Sequence, residues 1–284
     1  AVFRRRFLQY LASSPLLAGA PLGFANPGLG KPNNINEVFN ISHLDYCASQ
    51  ALSPADYHFI VAAADDGSTK AANRAAYERV RIRPRRLVDT TGLDTSVSIF
   101  GRSYPSPVVL APVGNQASLH ENGDLATARA AASRGTLMIS AMLSNASVAE
   151  IASVGAPNWL QLYPSTAQRF VRHLMDRAAG AGADTIVLTI DGPGRGNREA
   201  ERWFAMRRDR STPRPRVRLG NFESFDGRKG IGDSKLTWDR LAWYRDSTDL
   251  KLVLKGVVTA EDAGLCLKYG ADGVVVSNHG GRQE

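Results

Sequence analysis

From residue 106 onward, short continuous apolar runs alternate with stretches whose apolar residues recur at helical spacing, and this alternation constrains the fold more than any other feature of the chain. The runs read as strands cover 108–113, 137–142, 158–163, 185–191, 251–257 and 273–278. They are apolar throughout rather than every second residue, the pattern of strands covered on both faces, so a parallel α/β sheet is expected. Capping-box spacing at Ser147 to Glu150, Ser165 to Gln168 and Thr259 to Asp262 marks helix starts, and Gly135, Gly180 and Gly270 mark helix ends. Six such strands fit an open doubly wound sheet. They also fit about six units of a TIM (β/α)8 barrel, which needs eight. Residues 194–238 break the rhythm as a long loop rich in Arg, Pro and Gly, and residues 31–105 read as a helical lead-in to the barrel.

Composition removes several function classes. The 43% hydrophobic content is ordinary for a globular domain, and no apolar run is long enough to span a bilayer as a helix. Two cysteines, Cys47 and Cys266, make neither a disulfide framework nor a metal cluster, and Cys266 reads as a small core residue. The five histidines lack metal-ligand spacing, so no metal is expected. The net charge of +8 is local: it lies at Arg4, Arg5 and Arg6 and in eight arginines between Arg198 and Arg218. No nucleic-acid-binding signature accompanies it. A solvated loop is the first reading of the second cluster, and contact of residues 200–230 with an anionic membrane surface the next. Arg4 to Leu8 fits a twin-arginine export pattern, followed by a modestly apolar stretch, so residues 1–30 are expected to be an export signal and linker and the protein periplasmic.

The polar residues cluster where the strands end. They are Val113 and Gly114 after the first strand, Gln161 and Tyr163 at the third, and Thr189 and Asp191 at the fourth, with Arg198 just beyond. Lys255 follows on the fifth strand, and Ser277 to Gln283 end the sixth. Each alone has a dull explanation: a strand-end Lys is solvated, an Asp caps the next helix, a lone His is structural. Their convergence on the C-terminal ends of parallel strands, where barrel active sites are built, marks a site.

The run Ser277-Asn278-His279-Gly280-Gly281-Arg282-Gln283 resembles the active-site signature of the FMN-dependent 2-hydroxy acid oxidases and dehydrogenases. The resemblance continues in order through Ala64-Asp65-Asp66, Asn73-Arg74, Arg83-Pro84-Arg85, Gln161-Leu162-Tyr163, Leu188 to Asp191 and Leu254 to Val257. It implies a TIM barrel, FMN as cofactor and a small, lactate-like 2-hydroxy acid as substrate. It also implies a homo-oligomer, and leaves oxygen, a quinone or a redox protein open as electron acceptor. By that resemblance His279 is the base that takes the α-proton, or the hydroxyl proton if hydride moves. Asp191 orients it, Arg198 and Arg282 clamp the carboxylate, and Tyr57 and Tyr163 add hydroxyls. Lys255 stands by the reduced flavin, with Gln161, Thr189, Ser277, Ser140 and the backbone of Val113 and Gly114 along its edge.

The resemblance also carries departures. The family's flavin-phosphate residues lie after the seventh and eighth strands and have no counterpart in these residues, so the chain is expected to cover the barrel only in part and to hold FMN weakly. Gly114 stands where many oxidases carry Ala, and the missing methyl is expected to open space beside the flavin, leaning toward a monooxygenase or dehydrogenase. An aromatic substrate-pocket residue is replaced near Met142 or Leu143. Two other readings stand beside the flavoenzyme: a different flavin-binding barrel enzyme, and an inactive barrel paralogue that serves as a binding module.

Overall fold

The computed structural model describes residues 32–192, 194, 196–207 and 217–284. The export-signal expectation for residues 1–30 lies outside the described residues, as does the 208–216 part of the Arg-rich stretch. The chain divides into two compact units after Ile60. In the smaller one, Asn40 caps helix α1 (Ile41–Ala51) by accepting from the His43 N–H, and α2 (Pro54–Val61) opens on a proline. Pro suits that first position because its absent N–H would have had no helical partner.

The larger unit, from Val61, begins with α3 (Ser68–Glu78) and a hairpin of β1 (Val97–Ile99) and β2 (Arg102–Tyr104). The hairpin turns through Phe100 and Gly101, both at positive φ (50° and 81°), the backbone that a two-residue turn between twisted strands requires. Next come α4 (Gly123–Arg134), β3 (Met138–Ala141), α5 (Val148–Ala152), β4 (Asn158–Leu162), α6 (Gln168–Gly180) and β5 (Thr185–Thr189). Helices α7 (Glu199–Arg207), α8 (Gly220–Glu223) and α9 (Trp238–Asp246) then lead to β6 (Lys251–Val257), α10 (Ala260–Lys268) and β7 (Gly273–Val276).

Strands β3 to β7 form one parallel sheet in sequential order. The order never reverses, as it must at the switch point of a doubly wound sheet. The two faces are also covered differently. Leu160, Leu162, Ile186, Leu188, Leu252 and Leu254 pack with α6, α9 and Cys266 of α10, while Met138 packs with α4 and α5. The opposite face carries Ile139, Trp159, Val187 and Val253 against Tyr104, Val97 and Ile99 of the hairpin. Helices outside and side chains inside, with strands following in order, are the arrangement of a barrel wall, and this resolves the choice that the strand pattern left open.

Three expectations are corrected. Residues 108–113 do not form a ladder strand: they run beside β3 through one parallel bridge, Leu110 to Met138, because Pro107 and Pro112 remove donors at both ends. Ser165 is not a helix cap: α6 starts only at Gln168, and the Ser165 hydroxyl accepts from the Ala167 N–H instead. That helix runs through Gly180, and Gly182 (φ 82°) makes the left-handed exit. The other cap readings hold. Ser147 and Glu150 form a reciprocal capping box, and Thr259 accepts from the Asp262 N–H.

The interval 194–238 is structured where it is described. Asn221, fully buried, donates to the carbonyls of Ala141 and Met142 and accepts from the Val148 N–H, tying α8 to the turn after β3. A Cβ on Gly220 would lie 2.4 Å from the Ser147 nitrogen, so only glycine permits that approach.

Candidate active site

The inner face of the sheet changes character along each strand. Two residues beyond Trp159, Val187 and Val253 stand Gln161, Thr189 and Lys255, which alternation places on that same face. All three are buried. The Gln161 amide is fixed at both ends: its nitrogen donates to Thr189 Oγ1 (2.8 Å) and its oxygen accepts from the Met142 N–H (3.3 Å).

At the end of β6 the sheet carries an irregularity between Lys255 and Val257. Gly256 there has φ 112°, and a Cβ on it would sit 2.6 Å from Asp191 Cβ. Only glycine lets the segment after β5 close in, with the Ile190 N–H donating to the Lys255 carbonyl (2.8 Å). The result is a compact charged group. Both Asp191 carboxylate oxygens lie 2.9 Å from His279 Nδ1, and Oδ2 is 3.7 Å from Lys255 Nζ. The Asp191 side chain is 1% exposed and that of His279 24%. This geometry makes Nδ1 the protonated nitrogen and leaves Nε2 as the basic one. Burial pushes the Lys255 ammonium below the ordinary lysine value, with the attraction of Asp191 working against it.

His279 itself has φ 59°, a left-handed backbone followed by Gly280 and Gly281 at 70° and 71°. Strained backbone of this kind persists where the surroundings impose it, and it clusters at functional sites. Ser277, expected beside the flavin, accepts the His279 N–H at 3.0 Å. Gln283 bridges to the post-β5 segment, donating to the Asp191 and Gly194 carbonyls and accepting from the Gly196 N–H.

Tyr163 is held above the ordinary phenol value first by burial and then by Asp191, with Arg198 and Arg282 acting in the opposite sense. The phenol therefore shares one electrostatic neighbourhood with all three charges. Arg198 is held by Glu201 (3.0 Å), but its Nε is buried without a hydrogen-bond partner among the described residues. A buried donor of this kind is costly unless an anion meets it. Arg282 donates to the Ala62 carbonyl (2.9 Å).

Three expected residues fall differently. Ser140 pairs in register with Leu160, on the helix-covered face, and its hydroxyl donates to the Trp159 carbonyl, so the structure does not bring it to the Gln161–Thr189–Lys255 group. Tyr57 belongs to the N-terminal unit, where its hydroxyl donates to Asp45. The open space expected at Gly114 is bounded instead: an added methyl would meet Leu143 Cβ at 3.1 Å, and the Asn115 N–H donates to the Leu143 carbonyl. The Val113 carbonyl accepts from the Gln116 side chain. Sequence reasoning assigned no role to Gly256, Gln283, Asn278 or Asn73, although all four stand inside motifs that carried the resemblance.

Comparison with known proteins agrees with this geometry. The family model of the FMN-dependent dehydrogenases matches residues 48–284. Glycolate oxidase of Spinacia oleracea is 37% identical over 262 residues, covering 87% of this chain and 70% of that protein. L-lactate oxidase of Nostoc sp. is 36% identical over 269 residues, covering 88% and 72%. Among solved structures, a mandelate oxidase variant with (S)-mandelic acid superposes with a TM-score of 0.78 at 35% identity, covering 87% of this chain and 70% of that one. A match across most of the chain, with a partial barrel wall that carries its charged group at the strand ends, places this protein in the FMN-dependent dehydrogenase family.

Proposed function

We propose that this protein oxidises a small, lactate-like L-2-hydroxy acid to the 2-oxo acid with FMN as cofactor. The observation that carries the reading is the His279–Asp191–Lys255 group beside two arginines, one of them with a buried donor unpaired among the described residues. The residues present fit the cofactor. Gln161 and Thr189 offer an amide and a hydroxyl for the polar edge of a flavin, Val113 and Gly114 offer backbone, and buried Lys255 offers a cation. FMN, when bound, accepts the two electrons that the substrate loses.

Arg198 and Arg282 take the carboxylate through forked donors, with the Tyr163 hydroxyl completing the substrate's surroundings. His279 Nε2 receives a proton as the carbinol carbon is oxidised. Asp191 then faces an imidazolium across 2.9 Å and stabilises it. Lys255 balances the buried carboxylate before reaction and the developing negative charge of the acceptor during it.

An anaerobic visible spectrum, taken before and after L-lactate, glycolate and L-mandelate, tests the reading. Bleaching of the flavin bands by one of them is expected. A flavin spectrum that none changes contradicts the substrate class, and a folded protein that takes up no FMN contradicts the function. In that last case the binding-module reading takes over.

The proposal extends to the periplasm. Helix α7 exposes Trp203 and Met206, and the Arg207 guanidinium lies 4.3 Å over the Trp203 ring, an apolar and cationic pairing suited to an anionic bilayer surface. With the twin-arginine pattern, this supports an exported enzyme that passes electrons to an acceptor at a membrane, in the homo-oligomer that the family resemblance implies. Flotation with anionic liposomes, comparing the wild type with Trp203→Ala and Arg207→Ala, tests the contact: loss of flotation in the variants is expected, and equal flotation contradicts it.

A further inference from the structure

The two arginines and the histidine belong to two separate loops, and one stretch of backbone outside the sheet holds both. On one side it meets the His279 loop. The side-chain amides of Asn73 on α3 and Asn278 pair reciprocally, at 2.9 and 2.7 Å. Asn278 Oδ1 also accepts the Gly281 N–H (3.1 Å), which closes the left-handed turn. The Ala64 N–H donates to the Gly281 carbonyl (2.8 Å), and Arg282 donates to that of Ala62 (2.9 Å). A Cβ on Gly281 would lie 2.5 Å from the Lys70 nitrogen, so α3 abuts the turn directly.

On the other side the same stretch meets the Arg198 loop. Asp65, itself at φ 46°, donates its N–H to the Asn197 carbonyl and accepts from the Asn197 side chain, both at 2.9 Å. Arg198 is the next residue.

We propose that residues 62–73 act as a template that sets the two loops against each other. Asn73 is a positioning residue for His279, and Asp65 a positioning residue for Arg198. The inference rests on the function proposed above and adds a division of labour to it. Asn73 governs proton removal, because its amide fixes the turn that aims the imidazole. Asp65 governs carboxylate capture, because it fixes the arginine that meets the anion.

The test compares the flavin-loaded wild type with Asn73→Ala and Asp65→Ala. Asn73→Asp and Asp65→Asn serve as conservative partners should either alanine variant fold poorly. Loss of geometry at a reacting centre costs roughly 10- to 100-fold, so Asn73→Ala is expected to lower kcat by that factor with little change in KM. Hydrogen exchange at the Gly281 amide should quicken. Asp65→Ala is expected to raise KM, and the Kd of oxalate read from flavin absorbance, by about 10-fold with kcat and the Gly281 amide unaffected. Asp65→Asn keeps an acceptor for Asn197 and should restore binding. Equal changes in both parameters for both variants, or no change in either, would overturn the template. If the wild type is reduced by no 2-hydroxy acid, the proposed function falls while oxalate binding and Gly281 exchange still decide this inference.

Discussion

The two ends of the sheet's inner face are built from the same strands, yet they do opposite work. At the N-terminal end Trp159, Val187 and Val253 meet the hairpin residues Val97, Ile99 and Tyr104 and form an apolar plug. Two residues further along, Gln161, Thr189 and Lys255 are just as buried, but each is polar. The plug gains from excluding water over apolar surface. The polar end has to satisfy every group or leave it facing a ligand, and it does both: Gln161 is bonded at each end, while Arg198 Nε has no partner among the described residues. A single pleat repeat therefore separates residues that hold the fold from residues available for chemistry.

That division can be broken from either end. The largest effect is expected at the polar end and on rate alone. His279→Gln should lower turnover by roughly 10²- to 10⁴-fold, the usual worth of a positioned base, with flavin retained and Tm unchanged. At the plug the effect should fall on stability. Trp159→Ala removes a 6% exposed side chain packed beside the Phe100 ring and is expected to cost about 3–5 kcal/mol in chemical denaturation. The surviving folded fraction should keep its kcat. A smaller effect sharpens the contrast: Thr189→Val keeps the shape but removes the acceptor of Gln161, costing about 1 kcal/mol and weakening FMN binding.

The last effect is one of sign. Burial lowers the Lys255 pKa below 10.5, so in the window between the folded value and 10.5 the unfolded chain holds more protons than the folded one. Stability of the flavin-free protein should therefore rise with pH through that window. Lys255→Met should abolish the rise, as equilibrium urea unfolding at several pH values would show.

The same contrast explains what was legible in the sequence. β4, β5 and β6 announce themselves because both faces of each strand are buried and mostly apolar, and the polar residues at their ends stand out against those runs. The hairpin of β1 and β2 went unread within a segment taken as helical, although Val97 and Ile99 alternate and Gly101 supplies a turn residue. Three-residue strands carry too little periodicity to register. Residues 108–113 misled for the opposite reason: an apolar run passed for a strand although two prolines limit its ladder. The charged group at the strand ends was legible through residue type and motif. The residues that hold it were not, since the Asn73–Asn278 pair spans 205 positions and no local pattern connects them.

The most direct test of the division is a crystal structure of the protein with FMN and a 2-oxo acid. The account predicts the flavin ring against Gln161, Thr189 and Lys255, with the ligand carboxylate between Arg198 and Arg282 and its oxidised carbon facing His279 Nε2. A ring seated on the helix-covered face, or a carboxylate away from both arginines, would contradict it.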